Sequence, residues 1–186
     1  MSDITQKWVD VLIPFSSGYG RRLTASGISR ETKIPQQTVS RVLNGLVGRN
    51  LIRYSREGKN KLFYFDLKNQ SSLLILKMIE CQRSLNFLGN KRVSLIIEDL
   101  LKEFDSFLIF GSYASGKQKS GSDLDVVIFS KKKSLSKIKS KYPIEINEHF
   151  LSFVEFRKLK DSPMIKEVFL NHVLFGDVDK IMRRLL

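Results

Sequence analysis

The stretch "FGSYASGKQKSGSDLDVVIF", residues 110–129, holds a Gly-Ser pair and then, after ten intervening residues, two aspartates separated by one leucine. The apolar run Phe107, Leu108, Ile109, Phe110 ahead of it predicts a short buried strand entering a glycine turn. "YASGKQKSGS" is polar and flexible, and "DLDVVIFS" reads as a second strand. Alternation along a strand puts Asp123 and Asp125 on one face and Leu124 on the other. Two carboxylates so placed repel and raise each other's pKa unless a positive charge sits between them. A divalent cation is the direct remedy, since magnesium takes hard oxygen ligands, commonly one or two carboxylates completed by water and substrate phosphates. Gly111 lets the backbone approach a phosphate, and Ser112 offers its N–H and hydroxyl to phosphate oxygens.

A third strand is expected in "YPIEINEHFLSFVEF". A regular pleat there puts Glu145, Asn147 and His149 on one face and Ile144, Ile146 and Glu148 on the other. Upstream, "NKRVSLIIEDLLKEF" carries Val93, Ile96, Ile97, Leu100, Leu101 and Phe104 on a helical stripe suited to packing on a sheet. Downstream, "FRKLKDSPMIKEVFLNHVLFGDVDKIMRRLL" reads as a helix, a "VLFGD" turn and a short C-terminal helix.

The chain has 186 residues, room for two domains with real cores. Lys plus Arg outnumber Asp plus Glu by 32 to 19, a formal net charge of +13, so polyanions are the natural partners, nucleic acid and nucleotide phosphate first. The excess lies at the two ends of the chain, and the middle is nearly neutral. The single cysteine, Cys81, excludes an intramolecular disulfide, and His149 and His172 do not join it at zinc-ligand spacing. A reducing, cytoplasmic setting fits this usage. The N-terminal "MSDITQKWVDVLIPF" lacks the basic start and apolar core of an export signal. "SSLLILKMIECQRSLNFL" is interrupted by Lys77, Glu80 and Arg83, so no membrane span is expected.

In the N-terminal third, Trp8, Val11, Leu12 and Phe15 recur at helical spacing, with Pro14 closing that helix. A short helix carrying Ile28 follows, then a second helix from about Pro35 with Val39, Leu43, Leu46 and Val47 facing inward. The second helix exposes Gln36, Gln37, Thr38, Ser40, Arg41 and Asn44, types that hydrogen-bond base edges or phosphates in the major groove. "LIRYSREGKNKLFYFDL" then alternates apolar and basic residues about "REGKN", a two-stranded hairpin carrying Arg56, Lys59 and Lys61 at its tip.

"ISRETKIPQQTVSRVLNGLVGRNLIRYSREGKNKLFYF" resembles the winged helix-turn-helix DNA-binding domain of bacterial and archaeal regulators. Gly111-Ser112, ten residues and Asp123-Leu124-Asp125 resemble the signature of the DNA polymerase beta-like nucleotidyltransferase superfamily, in its minimal, small-domain branch. These resemblances imply an α+β chain: a winged helix-turn-helix domain at 1–67, a helical connector at 68–91, and at 92–186 a nucleotidyltransferase-fold domain with a mixed sheet flanked by helices. They imply double-stranded DNA as a partner, a nucleoside triphosphate held by Gly111 and Ser112, and Mg2+ bound by Asp123 and Asp125. Superfamily members usually add a third carboxylate from a following strand, for which Glu145 is the first candidate, Glu148 the second, and absence of a third acid another outcome. Where the family commonly has Arg, this chain has Ser115, and Lys117 or Lys119 stands near enough in sequence to supply the charge.

Two readings follow. In the first, the chain is a DNA-binding nucleotidyltransferase moving a nucleoside monophosphate from a triphosphate to a hydroxyl acceptor, which the family resemblance extends to a protein side chain. In the second, it is a winged-helix regulator whose transferase-like domain only senses nucleotide or mediates assembly. The apolar first connector helix could support a homodimer or dock the two domains.

Overall fold

The computed structural model describes residues 3–131 and 134–186, which divide into two compact units, one extending to Ile79 and the other running Glu80–Leu185. In the first, α1 (Asp3–Leu12) passes into a 3-10 turn at Ile13–Ser16, where Pro14 denies the α-helix a donor. The helix α2 (Ala25–Thr32) starts at Thr24, whose hydroxyl accepts the Gly27 N–H at 3.0 Å. It ends on Lys33, in the left-handed region at φ 58°. Pro35 caps α3 (Gln36–Gly48), and β1 (Arg53–Glu57) pairs antiparallel with β2 (Asn60–Tyr64). Phe63 of β2 also exchanges backbone hydrogen bonds with Leu23, tying the hairpin to the chain entering α2. Leu12, Phe15, Ile28, Val39, Leu43 and Leu46 fill the centre, and Phe15 meets Phe65 edge-on at 5.3 Å. Val47, expected inward, is only half-buried.

A long helix, α4 (Gln70–Leu88), leads to α5 (Lys91–Glu103), capped by the Asn90 side chain. The second unit then runs β3 (Ser106–Phe110), the short α6 (Gly111–Ala114), β4 (Leu124–Ile128), α7 (Ser136–Lys139) and β5 (Ile146–Phe150). It closes with α8 (Phe153–Lys158), α9 (Pro163–Leu170), β6 (His172–Gly176) and α10 (Val178–Leu185). The sheet order is β5-β4-β3-β6. β4 is parallel to β5, and β3 is antiparallel to both β4 and β6, so the sheet is mixed as expected.

"VLFGD" is therefore not a turn. Val173, Leu174 and Phe175 are buried in β6, whose end at Gly176 lies so close to the Asp105 carbonyl that any side chain there would collide with it. Of the α5 stripe, Val93, Ile96, Ile97, Leu100 and Phe104 pack with Phe107, Ile109, Leu124, Val126 and Ile146. Leu101 departs from it: one residue past Leu100 lies about 100° round the helix, and its side chain faces solvent. The opposite sheet face holds a buried polar pair, with Glu80 of α4 3.5 Å from His172 Nε2 while His172 Nδ1 donates to the Val168 carbonyl.

The entry to β5 is fixed by Asp99 of α5. Lys102 reaches its Oδ1 at 2.9 Å, and Lys141 and the Tyr142 hydroxyl each reach Oδ2 at 2.9 Å. The hydrogen bonds from Lys102, Lys141 and Tyr142 hold the Asp99 carboxyl well below the ordinary carboxylate range. A carboxyl whose pKa is lowered on folding stabilises the fold above its unfolded value, about 4, and that contribution is lost as pH falls through the lowered folded value. Asp99→Asn should therefore be less stable than wild type in urea unfolding at pH 7, with the gap narrowing as pH drops below about 4; a gap independent of pH would refute this account.

Candidate functional site

The β4 pleat separates core from site. Leu124, Val126 and Ile128 point to the α5 side, so Asp125 points to the other, and Asp123 falls just ahead of the strand on the same alternation. The ladders set Asp125 beside Asn147 on β5 and Phe110 on β3, and Phe110 beside His172 on β6. Paired residues in neighbouring strands share a face, so these four side chains form one row. Asp125 is half-buried, and Asp123 is exposed at the mouth.

Gly111, directly after β3, holds φ at 70°, a left-handed conformation that favours glycine, and a Cβ at this position would stand 2.5 Å from Asp125 Oδ2. The first turn of α6 follows. Ser112 is half-buried there; its carbonyl accepts the Lys117 N–H at 2.9 Å and the Ser115 hydroxyl at 3.1 Å. Ser115 thus closes the loop by a neutral bond. The Lys117 side chain is exposed beside the same turn, and the Lys119 N–H donates to Ser122 Oγ at 2.8 Å ahead of Asp123.

Glu145 lies one residue before β5, its carbonyl accepting the Leu124 N–H at 2.8 Å and its side chain exposed. The register extended by one step sets it next to Asp123. Glu148 stands beside Val126 on the core-side face, where Lys139 meets it at 2.7 Å. Asn147 makes a bond that sequence alone does not reveal: its amide donates to Asp125 Oδ1 at 2.9 Å. The only signal for it in the chain is its shared parity with Glu145 and His149.

Among the described residues no three His, Cys, Asp or Glu side chains gather as a ready-made metal cage. The donor set nonetheless fits a hard divalent cation: two carboxylates at one mouth, with room on the exposed side for water or phosphate oxygens.

In the first unit, α3 presents Gln36, Gln37, Arg41 and Asn44 to solvent, with Thr38 and Ser40 half-buried. A polar groove of about 210 Å³ brings Gln36, Ser40 and Asn44 together with Lys59 and Lys61 of the hairpin. Lys61 Nζ donates to Asn44 Oδ1 at 3.3 Å and lies 4.7 Å from the Tyr54 ring centre. Arg56 is exposed on β1. Arg41 turns to the other flank of α3, into a groove with Lys7, Trp8 and Arg49, where the Arg49 guanidinium sits 4.9 Å from the indole centre. Lys7 and Trp8 join this face only through the packing of α1 on α3, which no local pattern in the chain announces, whereas Arg49 follows Arg41 at helical spacing.

Gly111→Ala tests the Asp125 geometry. The substitution should cost about 1–2 kcal/mol in urea unfolding, the strain of a left-handed non-glycine residue, and should push the Asp125 carboxylate off the turn. Loss of the Asn147 amide's Asp125-bonded chemical shift by NMR would register that displacement, and an unshifted amide would contradict it.

Comparison with known proteins agrees with this layout. Residues 2–61 match the MarR family and residues 91–175 match the nucleotidyltransferase domain. Among curated proteins, the chain is similar to the DNA-directed RNA polymerase III subunit RPC3 of Candida albicans, 42% identical over 55 residues, which is 30% of this chain and 9% of that subunit. It thus spans less than a tenth of the length of that relative. No solved structure matches the chain. Among the described residues no helix is long and apolar enough to cross a membrane. The chain joins a MarR-family winged-helix domain to a nucleotidyltransferase domain, a DNA-binding module fused to a nucleotidyltransferase-like one.

Proposed function

We propose that the second unit transfers a nucleoside monophosphate from a nucleoside triphosphate to a hydroxyl acceptor, with pyrophosphate leaving, and that the first unit brings this activity to double-stranded DNA. The observation that carries the reading is the Asp125 carboxylate set against the Gly111 backbone, with Asp123 just ahead of β4 on the same alternation. Asp123 and Asp125 would hold Mg2+, which when bound neutralises charge on the phosphates. Gly111 admits the triphosphate against the backbone, and Ser112 donates its N–H and hydroxyl to it. Lys117, exposed beside the turn, supplies positive charge at the mouth. Glu145, next to Asp123 by the register, would take the proton of the attacking hydroxyl. Positioning and charge complementarity then supply most of the acceleration. The acceptor class includes protein side chains, and a second copy of the chain could pair through α4.

A specific observation favours a second reading, a nucleotide-sensing regulator without turnover. Asn147 faces Asp125 where a further carboxylate could stand, and Ser115 bonds neutrally where an arginine would add charge.

Incubation with each α-labelled nucleoside triphosphate, magnesium and cell lysate separates the two. Transfer of label by wild type, lost in Asp123→Ala and Asp125→Ala and reduced at least about 100-fold in Glu145→Ala, is the expected result. Metal-dependent nucleotide binding without any transfer would support the sensor instead.

For DNA, Gln36, Gln37, Thr38, Ser40 and Asn44 are proposed to enter the major groove, with Arg41 on the other flank of α3 and Arg56, Lys59 and Lys61 of the hairpin on flanking phosphates. Arg41→Ala and Lys59→Ala should each weaken DNA affinity and lower the log-log salt slope by about one for each phosphate left without its cation. Unchanged affinity and slope in both variants would remove this face from the interface.

A further inference from the structure

Asn147 sits directly across the parallel ladder from Asp125, on the same face, and donates its amide to Asp125 Oδ1 at 2.9 Å. The orientation of the amide follows from chemistry: an ionised carboxylate only accepts, so the nitrogen must face it. The other oxygen, Oδ2, rests against Gly111, where even a methyl group would come within 2.5 Å. Asp125 is therefore held at Oδ1 by an amide, while Oδ2 lies against bare glycine backbone. Neither partner is charged.

That neutrality has an electrostatic consequence. A carboxylate in the place of Asn147 would stand directly across the ladder from Asp125, as Glu145 stands across from Asp123, and an added like charge beside Asp125 attracts a cation before any substrate arrives. With an amide there, Asp125 has no second carboxylate across the ladder, and no three acidic side chains among the described residues gather round one point, so the site offers few ligands to a hydrated magnesium ion, which parts with its waters reluctantly and relies on phosphate oxygens to complete its shell. The amide keeps the geometry of a third ligand position while withholding its charge.

We propose that Asn147 is a positioning residue that aims the Asp125 carboxylate, and that its neutral amide makes divalent-cation binding depend on the phosphates of a nucleotide. This rests on the reading of Asp123 and Asp125 as the cation ligands. The site then takes metal and nucleotide together, and by linkage each raises the affinity for the other by the same factor. The role of Asn147 is exerted through Asp125, so its removal changes metal affinity more than it changes the fold.

The test is Mn2+ titration of the full chain, followed by the electron paramagnetic resonance of free Mn2+, with and without adenosine 5′-(α,β-methylene)triphosphate. Wild type should bind Mn2+ weakly alone and more tightly with the analogue. Asn147→Ala should lose about tenfold in Mn2+ affinity in the presence of the analogue, the usual consequence of deleting a group that orients a metal ligand. Asn147→Asp should bind Mn2+ without the analogue about tenfold or more tightly than wild type, as an added ligand charge does at such sites. A gain of affinity cannot come from misfolding, so this second variant keeps the test decisive. Wild-type affinities in either Asn147 variant, alongside loss of binding in Asp125→Ala, would overturn the proposal. If Asp125→Ala itself binds Mn2+ as wild type does, the reading of Asp125 as a cation ligand fails instead.

Discussion

The pleat of β4 is the constraint on which the second unit depends. One strand must satisfy two incompatible demands, an apolar side chain for the core and a carboxylate for the site, and alternation lets it meet both within Leu124–Ile128. A slip of one residue would carry Asp125 into the apolar packing under α5 and Val126 out to the mouth, leaving an unpaired buried charge and removing a core side chain at once. The β3 and β5 ladders flanking β4 lock the register against that slip. Turn and strand then act as one part, because the Gly111 backbone lies in van der Waals reach of the side chain that β4 presents.

The first unit answers a different demand by similar means. Its helix α3 must be buried along Val39, Leu43 and Leu46 yet leave a polar face free, and the 3.6-residue repeat divides the two. Lys61 links the hairpin to that face through Asn44, so the groove between them is built of side chains from both elements.

Much of this is legible in the chain. The alternation at 123–128 predicts both the strand and the shared face of its aspartates, and the order of helix, helix and basic hairpin predicts the winged helix. What escapes is non-local. The pairing of Asp125 with Asn147 depends on the register between parallel strands joined by a long crossover, and nothing in either strand states which residues will meet. β6 escapes because a short apolar run before a glycine has no period to distinguish a buried strand from a turn. Leu101 groups with its neighbours by composition, although one step round the helix takes it out to water. The roles proposed for Glu145 and Lys117 are not legible as packing, because both side chains are exposed.

Asn147 also has a genetic reading. Either asparagine codon becomes an aspartate codon by a single A-to-G transition at its first base, so a mouth with an amide beside Asp125 and one with a carboxylate there are adjacent in sequence space. Asn147 is exposed and contributes nothing to the buried core, so the exchange is open to drift without loss of the fold. A lineage carrying this chain could pass between the two charge states in one mutational step, and the amide found here is then one setting of a site whose alternative lies a single base away.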